Sequence, residues 1–236
     1  LRRVAEERAV DAVMERARRL LRHAARPLQG VRDGYPAHGE LDLEATLERV
    51  RPWAPADIRV HRIEPREADV VLVLDMSLSM TGEKIALTAV AAAILKLKLE
   101  HVAVVQFDTQ AHVLVRCGEA VAVRELVRRI LTVPAQGYTN IEAGLEEGLR
   151  VLRAGRHRER LGIVLTDGIA NMGWDPVRVA ARYPRLHVVQ LGSRDRHGAR
   201  TCRRMAQAGR GLRYEAVIYP QLPGVVRQLV RDCFGG

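Results

Sequence analysis

Apolar positions recur near the start of the chain as Val10, Val13, Met14, Ala17, Leu20, Leu21 and Ala24, with Arg16, Arg18, Arg19 and Arg22 between them. That spacing predicts a helix with one buried stripe, ended before Pro27. Residues 27–40 hold Pro27, Gly30, Gly34, Pro36 and Gly39 and read as a loop, and residues 42–50 read as a short helical stretch. Residues 58–63 alternate apolar and basic, the pattern of an edge strand entering the main domain.

Beyond Pro65 the pattern becomes a regular alternation. Residues 70–74 are a continuous apolar run, as a strand buried on both faces should be, and residues 84–97 follow as an Ala/Leu-rich helix. Strands are predicted at 102–107 and, after a short hairpin, at 111–115. Helices follow at 121–131 and 140–152. Then come strand 161–166, helix 176–181, strand 186–191, helix 199–208, strand 212–217 and a last helix at 220–233. The expected fold is α/β: a doubly wound, mostly parallel six-stranded sheet with one antiparallel edge strand, preceded by a helical N-terminal extension. On this reading residues 1–66 are the extension with its edge strand and residues 67–236 the main domain.

Composition changes the picture in three ways. Aromatic residues are only 4% of the 236 while hydrophobic residues are 47%, so Leu, Val and Ala must build the core. The net charge of +10, from 38 Lys and Arg against 28 Asp and Glu, attracts acidic surfaces within a Debye length of about 8 Å. Cys117, Cys202 and Cys233 are odd in number, far apart and form no C-x-x-C pair, which argues against a disulfide framework or a zinc site and fits a reducing cytoplasm. No apolar run reaches the roughly 18 residues of a membrane span, and the amino end is rich in Arg, unlike a signal peptide.

Three segments place oxygen-bearing side chains directly after a strand or before a helix: Asp75-Met76-Ser77-Leu78-Ser79, Gly137-Tyr138-Thr139-Asn140, and Thr166-Asp167-Gly168. Right-handed crossovers make the strands at 70–74 and 161–166 parallel, so Asp75 and Asp167 reach the same edge of the sheet. Thr139 lies where the chain has returned to that edge, and the three meet in the crevice where such sheets bind ligands. Two carboxylates and three hydroxyls, with no imidazole or thiolate, select Mg2+, Mn2+ or Ca2+ over zinc or copper.

The D-x-S-x-S run, the Thr in a glycine-led loop and the T-D-G after a strand resemble the metal-ion-dependent adhesion site of von Willebrand factor A-type domains, across roughly residues 67–234. The resemblance implies a metal-dependent protein-interaction module rather than an enzyme. It implies that Ser77, Ser79 and Thr139 ligate one divalent ion, Mg2+ first, with Asp75 and Asp167 contributing directly or through water. A partner's acidic side chain would complete the coordination. Leu78 stands where the family usually has Gly, a departure that bears on metal affinity. The N-terminal helical segment, residues 41–50 and the basic strand resemble CoxE-like proteins, which implies a MoxR-family AAA+ ATPase or its client as partner, in protein maturation or remodelling.

Two other readings remain. The Arg-rich stretches 150–160 and 194–213 suggest nucleic-acid binding, against which stand the scarcity of aromatics to stack bases and the placement of both stretches away from a common groove. A strand followed by Asp also opens haloacid dehalogenase-like phosphohydrolases, but those need a second Asp at the position of Ser77 as general acid and base. Asp108 reads as a solvated turn residue, and Trp174 as a loop anchor or a flank of the site.

Overall fold

The computed structural model describes residues 2–22, 30–34, 40–41, 60–64, 68–80, 82–99, 101–133, 137–192 and 195–234. Helix α1 (Arg2–Arg22) is followed by strands β1 (Gly30–Gly34), β2 (Glu40–Leu41), β3 (Val60–Glu64) and β4 (Ala68–Asp75). Then come α2 (Glu83–Lys98), β5 (Val102–Phe107), β6 (Ala111–Val115), α3 (Val123–Thr132), α4 (Ile141–Arg153) and β7 (Glu159–Thr166). The rest is α5 (Val177–Ala180), β8 (Leu186–Leu191), α6 (Arg196–Ala208), β9 (Arg213–Ala216) and α7 (Leu222–Phe234). The chain divides into two compact units, one built from α1 with the segment from β4 to Leu229, the other holding β1 to β3 and the end of the chain.

The first unit is the expected doubly wound domain. Its six strands lie in the order β6-β5-β4-β7-β8-β9, all parallel except β6, which runs antiparallel to β5 at the edge. Every residue of β4 is buried, as a central strand covered on both faces requires. Val71 and Val73, with Ala103, Val105, Phe107, Val164 and Val188 of neighbouring strands, face α4, α5 and α6 in one apolar cluster with Tyr183. By the alternation of strand side chains, Val70, Leu72 and Leu74 face the opposite side.

Helix α2 is buried at every position from Leu87 to Leu95, an unusual pattern for a helix on the outside of a sheet. The cause is α1, which packs on both α2 and α3. The predicted stripe of α1 is buried at Val10, Val13, Met14 and Ala17, whereas the side chains of Leu20 and Leu21 and all of Ala24 lie outside the described residues. Ion pairs from Arg124 to Glu7 and Asp11, and from Arg128 to Glu7, border that contact.

The region before β4 departs from expectation. Residues 27–40, expected as a loop, contain β1, and the basic strand, expected at the edge of the main domain, is β3, the central strand of a separate antiparallel sheet ordered β1-β3-β2. Alternation identifies a strand but not its sheet: the register Val31↔Ile63 to Gly34↔Val60 satisfies β3 locally, with no need of the larger sheet. The helical stretch expected at 42–50 lies outside the described residues. Helix α6 starts three residues earlier than its apolar pattern because Asp195 caps it, its Oδ1 accepting the Gly198 N–H at 2.9 Å.

Close packing of α4 on the sheet depends on a missing side chain. A Cβ on Gly144 would stand 2.3 Å from Phe107 Cδ1 and 2.5 Å from its Cγ. Gly144→Ala therefore forces the helix or the Phe107 ring to move, at an expected cost of about 1–3 kcal/mol in urea unfolding. A loss under about 0.5 kcal/mol would show that α4 does not rest on Phe107 as tightly as the geometry demands.

Candidate metal centre

Asp75 closes β4, Asp167 follows the last residue of β7, and the parallel pairing of these strands puts the two carboxylates at one edge. After Asp75 the chain turns through a single 3-10 turn, Leu78–Met80, held by Met76 N–H to Phe107 O at 2.8 Å and Met80 N–H to Ser77 O at 2.9 Å. That turn returns Ser77 onto Asp75: Asp75 Oδ1 accepts the Ser77 N–H at 3.0 Å and the Ser77 hydroxyl at 2.5 Å. The hydroxyl oxygens of Ser77 and Ser79 stand 3.2 Å apart. Asp75 Oδ2 accepts the Thr166 hydroxyl at 2.5 Å, and Thr166 Oγ1 in turn accepts the Gly168 N–H at 3.0 Å. Gly168 adopts φ +81°, and a Cβ there would lie 2.4 Å from Gly198 O, so the turn after Asp167 requires glycine.

Asp167 is likewise buried, with Oδ2 bonded by Lys84 Nζ at 2.8 Å and Oδ1 accepting the Ile169 N–H at 3.1 Å. Thr139 is buried immediately before Asn140, which caps α4 by accepting the Ala143 N–H at 3.0 Å. The bonds that fix Thr139 run through its backbone: its N–H donates to Asn171 Oδ1 at 2.7 Å, and its carbonyl accepts from Asn171 and Met172. The loop after Asp167 is thereby tied to the loop of Thr139. Hydrogen bonds thus join Asp75, Ser77 and Ser79 directly, Thr166 links Asp75 to the strand that carries Asp167, and Asn171 links Thr139 to the same segment.

Burial is the main influence on Asp75. Desolvation pushes its pKa from the ordinary 3.8 up to about 6, against the lowering effect of its bonds from Ser77 and Thr166. Asp167 nearby pushes in the same upward direction. All the groups that bond Asp75 are neutral donors, and among the described residues no cation pairs with it. The donor set therefore suits a hard divalent cation: oxygen atoms only, with one buried carboxylate short of positive charge. Among the described residues no group of three or more His, Cys, Asp and Glu is arranged to hold a metal, so hydroxyls are needed to make up any coordination sphere.

Four large apolar side chains stand exposed on the segments that carry these groups: Leu78, Tyr138, Met172 and Trp174, the last with 77% of its surface open. Trp174 is an outward flank rather than a packed anchor, with its backbone N–H fastened to Glu142 Oε2 at 2.7 Å. Asp108 is the turn residue expected, accepting the Gln110 N–H at 3.0 Å. Lys84 and Asn171 escaped the motif reading, and Thr166 stood in the T-D-G motif without being assigned a role. Lys84 is visible in the sequence only as part of Thr81-Gly82-Glu83-Lys84, a fragment of a nucleotide loop, and Asn171 carries no sequence signal.

The two other readings meet obstacles here. Asp75 is buried and both its oxygens already accept hydrogen bonds, so neither is presented as a free nucleophile for a phosphorus centre. Several Arg of the basic stretches are paired with carboxylates, Arg150 with Glu147 and Arg204 with Asp175. Among the described residues no helix is long and apolar enough to cross a membrane.

The family model for the von Willebrand factor type A domain matches residues 69–227. Solved structures share the fold at low identity. An aerotolerance-related membrane protein from Bacteroides fragilis is 17% identical, with a TM-score of 0.59, over 70% of this chain and 98% of that one. A von Willebrand factor type A protein from Catenulispora acidiphila is 16% identical, with a TM-score of 0.60, over 74% and 44%. Proximal thread matrix protein 1 from the mussel byssus, in a form with a zinc-occupied MIDAS motif, is 18% identical, with a TM-score of 0.56, over 69% and 46%. A search of curated proteins finds no match.

Proposed function

Because the chain belongs to the von Willebrand factor type A domain family, a family of metal-binding protein-interaction modules, we propose that it grips an acidic side chain of a partner protein through one divalent ion, Mg2+ first, held at Asp75, Ser77, Ser79, Thr139 and Asp167. The observation that carries this reading is the Ser77 hydroxyl. Its proton is given to Asp75 at 2.5 Å, which leaves both lone pairs of the hydroxyl oxygen free to accept from the Ser79 hydroxyl, 3.2 Å away, or to ligate an ion. Asp75 thus acts by aiming Ser77. With both its oxygens already accepting, it reaches an ion most easily through water. A bound divalent ion would supply an electrophilic centre for a partner's carboxylate. The mussel protein's zinc supports a divalent ion at such a motif, while the all-oxygen donor set favours Mg2+, Mn2+ or Ca2+ in this chain.

The chain's own residues do the rest. Leu78, Tyr138, Met172 and Trp174 offer apolar surface beside the polar centre, and the net charge of +10 draws acidic surfaces toward it. Resemblance of the N-terminal segment to CoxE-like proteins supports a MoxR-family AAA+ ATPase or its client as that partner, in protein maturation or remodelling in the cytoplasm. Capture of a purified MoxR-family ATPase by the full chain, in Mg2+ and in EDTA, tests the proposal. Capture should fall at least about tenfold in EDTA and with Thr139→Ala. Equal capture in Mg2+ and EDTA would remove the metal from the contact.

A further inference from the structure

We propose that Lys84 is a tethered cation that competes with the divalent ion for Asp167, an inference that rests on the metal reading of the same site. Its ammonium bonds Asp167 Oδ2 at 2.8 Å, the carboxylate is fully buried, and the lysine side chain is itself only 23% exposed. The position is built rather than incidental. Gly192 leaves room for the lysine stem: a Cβ there would stand 2.7 Å from Lys84 Cγ and 3.0 Å from its Cε. With Oδ2 taken by Lys84 and Oδ1 by the Ile169 N–H, Asp167 is held back from direct ligation.

Charge gives the consequence. Asp75 and Asp167 together bring two negative charges to the site, and Lys84 cancels one of them before any metal arrives. The lysine therefore weakens metal binding by like-charge repulsion and by occupying a ligand oxygen. It also keeps the Asp167 carboxylate compensated when no ion is present, so that the loop from Asp167 to Asn171 stays in place. A site arranged in this way binds its ion reversibly and leaves more of the ion's charge for a partner's carboxylate.

Calorimetric titration with Mg2+ alone and thermal melts in EDTA, on the full chain, test this. Lys84→Met, which keeps the stem and removes the charge, should bind Mg2+ about tenfold more tightly than wild type. In EDTA it should melt about 5 °C or more lower, because a buried carboxylate has lost its partner. Lys84→Arg should restore wild-type behaviour in both measurements. Lys84→Gln, which keeps a hydrogen bond to Asp167, covers the case in which the Met variant does not fold, and it too should bind more tightly. Equal or weaker Mg2+ binding by the neutral variants, with wild type binding, overturns the competition and leaves the metal reading standing. Absence of Mg2+ binding in wild type and in every variant overturns both.

Discussion

Asp75→Asn is expected to make the metal-free protein more stable at pH 7, by roughly 2 to 3 kcal/mol, and at the same time to abolish its thermal response to Mg2+. The first effect follows from linkage. The pKa of Asp75 rises from 3.8 in the unfolded chain to about 6 in the fold, so the native state binds the proton more tightly than the unfolded state does. The associated stability is fully present below about pH 4 and is lost as the pH climbs through 6. At pH 7 the carboxylate is ionised and enclosed, and among the described residues no cation is paired with it. Asn has nearly the same shape, can still accept from Ser77 and carries no charge to desolvate, while its amide N–H2 replaces the acceptor of the Thr166 hydroxyl, which offsets part of the gain. Urea unfolding in EDTA at pH 4 and pH 7 should show wild type losing stability over this interval and the variant holding level. In Mg2+ wild type should recover at pH 7 and the variant should not. A variant less stable than wild type at pH 7 in EDTA would mean that the Asp75 carboxylate is stabilising as it stands, and that its environment is more polar than its burial implies.

Deleting residues 1–25 should lower the melting temperature by about 10 °C or more and open apolar surface on α2. Val10, Val13 and Met14 are each at most 6% exposed, and burial of each large side chain contributes about 1.5–3 kcal/mol before the entropy of ordering the helix is subtracted. The ion pairs of Arg124 and Arg128 with Glu7 and Asp11 lie at the partly exposed border and add little. A net loss of several kcal/mol corresponds to roughly 2–4 °C for each kcal/mol in a domain of this size. The larger effect lies on α2, which is buried from Leu87 to Leu95 and has no polar face to turn to solvent once α1 is gone. Scanning calorimetry and binding of an apolar dye provide the measurements. An unchanged melting temperature with no gain in dye binding would show that α1 contributes nothing to the domain it covers.

Much of this was legible in the chain itself, because periodicity reports which faces must leave water. The unbroken run at 70–74 announced a central strand, and the spacing of Val10, Val13, Met14 and Ala17 announced a helix with something to cover. Topology needed only the handedness of crossovers to bring Asp75 and Asp167 to one edge, and the parallel register of β4 with β7 follows from it. The partner of a strand is another matter. The alternation at 58–63 is the same for a strand of either sheet, and only the register of β3 with β1 and β2 decided between them.

The candidate site divides along the same line. Residue types set the chemistry it can offer, since hydroxyls and carboxylates at strand ends are hard donors wherever they meet, and the resemblance of their motifs put forward Asp75, Ser77, Ser79, Thr139 and Asp167 as candidate ligands. Tertiary structure decided how charge is distributed among them. Lys84 reaches Asp167 across 83 positions of chain, and Asn171 reaches Thr139 across 32, contacts that no local pattern encodes. The burial that pushes Asp75 toward about 6 comes likewise from elements packed around the strand end. Local sequence specifies which groups a segment offers; only packing sets which of them lose water, which find a counter-charge and which are left without one, because desolvation and Coulomb interactions depend on distance in space and not on separation along the chain.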